Sequence, residues 1–164
     1  MKAVRCNELC EPSGLTIDDI ERPTAAQDEV LLKVHTAALN FPDVLMISGG
    51  YQVQPPLPFT PGLEMCGTVE ALGPGVSGFE VGQRVLAQTS MGAFAEFAVA
   101  PTVAVRDVPQ GMTDDEAAAF PLVYQTSYFA LAYRGQLARG ETVLIHSDAG
   151  GVGLAAVQLN ASGG

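Results

Sequence analysis

Thr142-Val143-Leu144-Ile145-His146 reads as an apolar strand, Ser147-Asp148-Ala149-Gly150-Gly151-Val152-Gly153 as a glycine-rich turn, and Leu154–Leu159 as a helix. Strand, glycine turn and helix in that order are how an α/β fold offers backbone N–H groups to the pyrophosphate of a dinucleotide. Only five residues follow Leu159, whereas a fold of this kind runs on for roughly a hundred more. The turn is therefore a cofactor signal on a chain expected to carry only part of a cofactor site.

The totals fit that reading. A length of 164 residues suits one domain, or one domain and part of another. Apolar residues at 48% are enough for a core and too many for a disordered chain. No apolar run is long enough to span a bilayer, and Met1-Lys2-Ala3-Val4-Arg5-Cys6 enters a strand pattern without a signal-peptide core. Cys6, Cys10 and Cys66 show no framework spacing, so a reduced, cytoplasmic protein is expected. Residues 1–121 carry 6 basic and 16 acidic side chains and so hold the whole net charge of −10, while residues 122–164 balance. Nucleic acids and anionic membranes both want a positive field, so neither is expected as a partner.

The first 121 residues read as short strands between turns. Val30, Leu32 and Val34 alternate with Leu31, Lys33 and His35, the period of a half-buried strand, with His35 on its surface. Ala93, Ala95, Phe97 and Val99 form a second row. Cys66–Leu72, Gln83–Gln88 and Thr102–Val105 are further strand candidates. Gly73-Pro74-Gly75 is a turn, and the four prolines of 54–61 make a loop. A short helix is predicted over Asp43–Ile47, after Pro42. Thr113-Asp114-Asp115-Glu116 is a capping box that opens a helical stretch running to Leu137, kinked or restarted at Pro121. A domain boundary is placed there, giving 1–121 and 122–164.

With these segments in place the sequence resembles the medium-chain dehydrogenase/reductase superfamily, in its zinc-independent quinone oxidoreductase branch. The matching stretches are Glu29–Val34, Ala38–Asp43, Pro61–Val69, Val81–Val85, Gly92–Phe97 and Ala149–Leu154, and together they cover about residues 1–159. The resemblance implies a mainly β fold with α elements. It consists of a GroES-like, partly open β-barrel catalytic domain followed by the first βα unit of a Rossmann domain that binds NADPH. Family members continue through that domain and then return to the catalytic one, so the chain is expected to be a truncated form. Asn160-Ala161-Ser162-Gly163-Gly164 departs from the expected helix and reads as a linker, a cloning scar or a truncated terminus.

The implied chemistry is hydride transfer from a nicotinamide to a small-molecule quinone or enone, with the protein supplying orientation and electrostatics. Reduction of a carbon–carbon double bond, as in enoyl reductases, uses the same step. The resemblance places Asn40, Asp43 and Tyr51 around nicotinamide and substrate, where an amide or phenol hydrogen-bonds an oxygen gaining charge. Read from the residues alone, Asn40 equally makes a turn before Phe41-Pro42, and Asp43 caps the helix that follows. Cofactor contacts are implied for Thr126, Ala149, Gly150, Gly151, Val152 and Gly153. A mid-helix threonine is more often a core or back-bonding residue. Asp148 repels a pyrophosphate unless it turns away, and it could instead cap the helix through the N–H groups of Gly150 or Gly151.

The alternative is a non-catalytic module that folds and self-associates without cofactor. Val143–Ile145 would lie inside a parallel sheet in the complete fold, and pairing with a second copy through 141–159 would cover them, so a homodimer is expected. Zinc-dependent relatives carry Gly-His-Glu where this chain has Gly62-Leu63-Glu64, and leucine ligates nothing. Elemental analysis after dialysis should therefore show no stoichiometric zinc, and about one zinc per chain would overturn that reading.

Overall fold

The computed structural model describes residues 1–161. The chain divides into two compact units, Met1–Ala119 and the segment from Phe120 onward. In chain order the first unit contains β1 (Lys2–Arg5), β2 (Thr16–Asp19), β3 (Glu29–Ala37), α1 (Phe41–Ile47), β4 (Glu64–Leu72), β5 (Arg84–Gln88), β6 (Phe97–Pro101), β7 (Val105–Asp107) and α2 (Asp114–Ala119). Five strands form one antiparallel sheet in the order β6-β3-β4-β5-β7, while β1 and β2 pair separately. This is a mainly β, partly open barrel of GroES-like type with short helices. Two register shifts between β3 and β4, at Leu31/Leu32 and Val34/Thr36, accompany the curl of the sheet.

The period-two rows explain the core. Val30 and Leu32 of β3, Met65 and Val69 of β4, Val85 and Ala87 of β5, and Ala98 and Ala100 of β6 pack into one buried cluster. The opposite face of β4 and β5 is also covered. Cys66 and Leu86 lie under Ala117 and Ala118 of α2. A third cluster joins Cys6, Met46, Ile47, Phe59 and Leu63, and so ties α1 to the segments before and after it.

α2 begins as its sequence predicts. The Thr113 N–H donates to Glu116 Oε2 at 2.8 Å, and the Glu116 N–H donates back to Thr113 Oγ1 at 3.3 Å. Its first turn is then pinned to the sheet. Asp114 Oδ1 accepts from Arg84 Nε at 2.6 Å, and Asp114 Oδ2 lies 3.0 Å from His35 Nδ1. Asp115 Oδ1 accepts from Thr36 Oγ1 at 3.0 Å. His35 is an exposed strand residue, and it uses its exposure to hold a helix.

The second unit contains α3 (Pro121–Tyr128), a π-helical segment (Phe129–Arg134) and α4 (Gly151–Ala161). The helical stretch does break before Pro121, whose ring cannot continue an α-helix. It also widens after Tyr128, where the Gly135 N–H reaches Ala130 O at 2.7 Å. Ser127 Oγ donates to Val152 O at 2.7 Å, and the Tyr124 hydroxyl donates to Gln158 Oε1, so α3 and α4 are joined side by side.

Three expectations need correction. Thr142–His146 forms no strand. A parallel strand exists only through its ladder, and among the described residues no neighbour pairs with this run. Leu144 is left 81% exposed. Thr102–Ala104 is a single 3-10 turn, and only Val105–Asp107 beyond it pairs as a strand. The helix also includes Asn160 and Ala161, while Ser162–Gly164 lie outside the described residues.

The anchoring of α2 has a pH signature. Hydrogen bonding to Arg84 is the largest cause that lowers the Asp114 carboxyl below 3.8. A depressed carboxyl stabilises the fold above the unfolded value and loses that contribution as pH falls through the folded one. The melting-temperature gap between the wild-type chain and Asp114→Asn should therefore be largest near neutrality and shrink below pH 3.8. A gap that stays constant down to strong acid would contradict this anchoring.

Candidate active site

Asn40 stands at the N-cap of α1, in extended conformation just before Phe41-Pro42. Proline fits the first turn of a helix because its missing N–H has no partner there anyway. Asp43, three residues on, reaches back. Its Oδ2 accepts from the Asn40 N–H at 2.8 Å, and its Oδ1 accepts from the Gly62 N–H at 3.1 Å. One carboxylate, only 2% exposed, thus closes the helix start onto the turn before β4.

Gly62 has to be glycine. Its φ is +105°, and a side-chain carbon there would sit 2.7 Å from the Phe94 nitrogen. Leu63 then turns into the cluster with Cys6, Met46, Ile47 and Phe59. Glu64 opens β4 at 1% exposure, and its Oε1 accepts from Asn40 Nδ2 at 2.8 Å. Among the described residues no three His, Cys, Asp or Glu side chains converge as metal ligands.

Two forces compete at Asp43. Burial is the larger and raises its carboxyl above 3.8, while the N–H groups of Asn40 and Gly62 pull the other way. Two thiols are affected in the same direction. Burial, with Cys10 beside it, pushes Cys6 up to about 11. Burial and then the Asp114 charge push Cys66 up to about 11.

Asn40 and Asp43 are therefore drawn together. Tyr51 lies half-buried against the apolar cluster that contains Leu63, and its main-chain oxygen accepts from Gln54 Nε2 at 2.7 Å. Glu64 is the residue the sequence reading passed over. Its bond to Asn40 spans 24 positions and depends on how β3 and β4 register.

In the second unit Ala149, Gly150, Gly151 and Val152 are exposed at or beside the start of α4, and Thr126 is exposed on α3. Gly153 is buried where a side-chain carbon would stand 2.2 Å from Ser147 O. The Gly150 N–H is taken by Ser147 O at 2.9 Å. Those of Gly151, Val152 and Gly153 meet no acceptor among the described residues. Asp148 likewise makes no hydrogen bond among them, so it does not cap α4.

The alcohol dehydrogenase GroES-like domain family matches residues 26–110. The chain belongs to this family, and with it to the medium-chain dehydrogenase/reductase superfamily. It is 38% identical to human quinone oxidoreductase over 161 residues, which cover 97% of this chain and 49% of that protein. The human synaptic vesicle membrane protein VAT-1 homolog-like protein matches at a TM-score of 0.96 and 36% identity, over 99% of this chain and 52% of that one. The quinone oxidoreductase of Thermus thermophilus, also solved in complex with NADPH, matches at 0.86 and 38% identity, over 99% and 50%. The chain spans about half the length of the curated relatives it matches.

Asp43→Ala strips two buried N–H groups of their acceptor. It should cost about 2–3 kcal/mol of unfolding free energy in urea, and Asp43→Asn, which keeps one acceptor, should cost less. Because its folded carboxyl is shifted upward, Asp43 contributes most below 3.8 and less as pH rises through the folded value. The wild-type advantage over Asp43→Asn should therefore narrow from acid to neutral pH, opposite in sign to the behaviour expected at Asp114.

Proposed function

We propose that this chain is the N-terminal portion of an oxidoreductase that passes hydride from NADPH to a quinone or enone without a metal ion. In this reading 1–121 is the catalytic domain, and 122–164 supplies a linker helix and the first glycine turn of the nucleotide domain. The observation that carries it is the hydrogen bond that orients the Asn40 amide donor on Glu64, one residue past Leu63, the position at which zinc-dependent relatives carry a metal ligand. The similarity to quinone oxidoreductases supports it.

The residues present fit a phosphate-bearing cofactor. Three unpaired N–H groups at the start of an 11-residue helix favour an anion, and Ala149–Gly153 would hold it there. When bound, the nicotinamide supplies the hydride. Everything else falls to the protein. A carbonyl oxygen gains negative charge as hydride arrives at carbon. The second Asn40 amide hydrogen and the Tyr51 hydroxyl are the donors that meet it. Asp43 holds the Asn40 backbone, and the apolar cluster behind Leu63 keeps Tyr51 in place. Thr126 is assigned a cofactor contact on the resemblance alone.

A second reading rests on the unpaired run Val143–Ile145, with Leu144 exposed. In that reading the chain is a GroES-like module that pairs with a second copy of itself. Light scattering at high micromolar concentration separates the two states. A dimer whose Val143–Ile145 amides are protected from exchange supports pairing, and a monomer refutes it.

Two measurements test the main reading. The chain itself should bind NADPH weakly, because the Asp148 carboxylate stands beside the anion site and only one glycine turn is present. Fluorescence titration giving a low-micromolar dissociation constant would contradict this. A chimera that joins residues 1–119 to the remainder of the T. thermophilus quinone oxidoreductase should oxidise NADPH with benzoquinone above a no-enzyme control. A folded, NADPH-binding chimera without that activity would refute the assignment.

A further inference from the structure

The side-chain amide of an asparagine is ambiguous, since a half-turn exchanges its carbonyl for its NH2 group. Asn40 is not free to make that exchange. Glu64 Oε1 accepts from Nδ2 at 2.8 Å, and an ionised carboxylate has only acceptors to offer. The backbone on either side is held as well. The Ala38 N–H donates to Glu64 O at 3.3 Å, and the Asn40 N–H donates to Asp43 Oδ2 at 2.8 Å. Glu64 is 1% exposed, so water competes little for the bond.

We propose that Glu64 is a positioning residue, whose buried carboxylate fixes the Asn40 amide in one orientation. The carbonyl oxygen of that amide faces the start of α1 in the capping box with Asp43, and Asn40 then presents its second N–H in a constant arrangement to nicotinamide and substrate. The catalytic half of this inference rests on the role given to Asn40 above. The orientation itself is a property of the chain as it stands. Glu64→Gln keeps an oxygen at the same reach but can also turn its own NH2 toward Asn40, so it should hold the orientation less firmly than the carboxylate. Glu64→Met fills a similar length and offers no comparable acceptor.

The direct test is nitrogen-15 NMR of the Asn40 side-chain amide in the 164-residue chain. In the wild type one amide proton should exchange slowly with water, and in Glu64→Gln it should exchange at an intermediate rate. In Glu64→Met, and in Glu64→Ala as a second variant should Met disturb folding, both protons should exchange at least about tenfold faster while the melting curve remains cooperative. Unchanged Asn40 signals in the folded Met or Ala variant would overturn the proposal. In the chimera, Glu64→Met should lower kcat about tenfold with the KM for NADPH little changed, Glu64→Gln should fall between Met and the wild type, and Asn40→Ala should be made no slower by adding Glu64→Met. Losses at Asn40 and Glu64 that multiply would also overturn it. An inactive wild-type chimera would sink the assignment of function, whereas the amide measurement decides by itself whether Glu64 holds Asn40.

Discussion

The Asp43 carboxylate is the constraint around which the first unit is arranged. It is taken out of water and accepts two backbone N–H groups, one from Asn40 and one from Gly62, 19 positions further along the chain than Asp43 itself. It adds a polar tie to the apolar cluster of Met46, Ile47 and Leu63 that already brings the start of α1 to the turn into β4. Once they meet, Glu64 comes within reach of Asn40, and Leu63 turns into the cluster under α1. Burying a carboxyl is costly, and the two N–H groups offset part of that cost. The same group that opens a helix therefore also helps to set the geometry of the Asn40 amide.

Much of the barrel was legible because period-two patterning is local. Val30, Leu32 and Val34 gave β3, and the Thr113–Glu116 capping box gave the start of α2. Pro121 gave the break between helices. β2 escaped because an edge pair on the surface needs no apolar row, and Ile17 is 72% exposed in it. Thr102–Ala104 looked extended by composition, but Thr and Val report only side-chain preference, and a single 3-10 turn satisfies it. The π-helical widening after Tyr128 had no sequence signal.

The candidate site was legible in part for the same reason. Asn40 and Asp43 are three residues apart, and their relation is a helix start that sequence can announce. Glu64 was visible only as the residue after a leucine that stands where zinc-dependent relatives carry a metal ligand. Its contact with Asn40 follows from strand register, which no window of sequence encodes. Thr142–His146 failed in the opposite direction. Its apolar pattern is that of an interior strand, but a pattern records which side chains want cover and does not supply the neighbour that provides it.

The buried thiols carry a chemical consequence. A quinone is an electrophile as well as an oxidant, and the species it arylates is the thiolate. With pKa values of about 11, Cys6 and Cys66 hold only about one thiolate in ten thousand at neutral pH. Both are also wholly shielded by packing, Cys6 beneath α1 and Cys66 beneath α2. Under the proposed function such inertness is an advantage, because alkylation at either position would wedge a ring into the core. The packing that keeps these sulfurs protonated thus also sets the chain's tolerance of the compounds it is proposed to reduce.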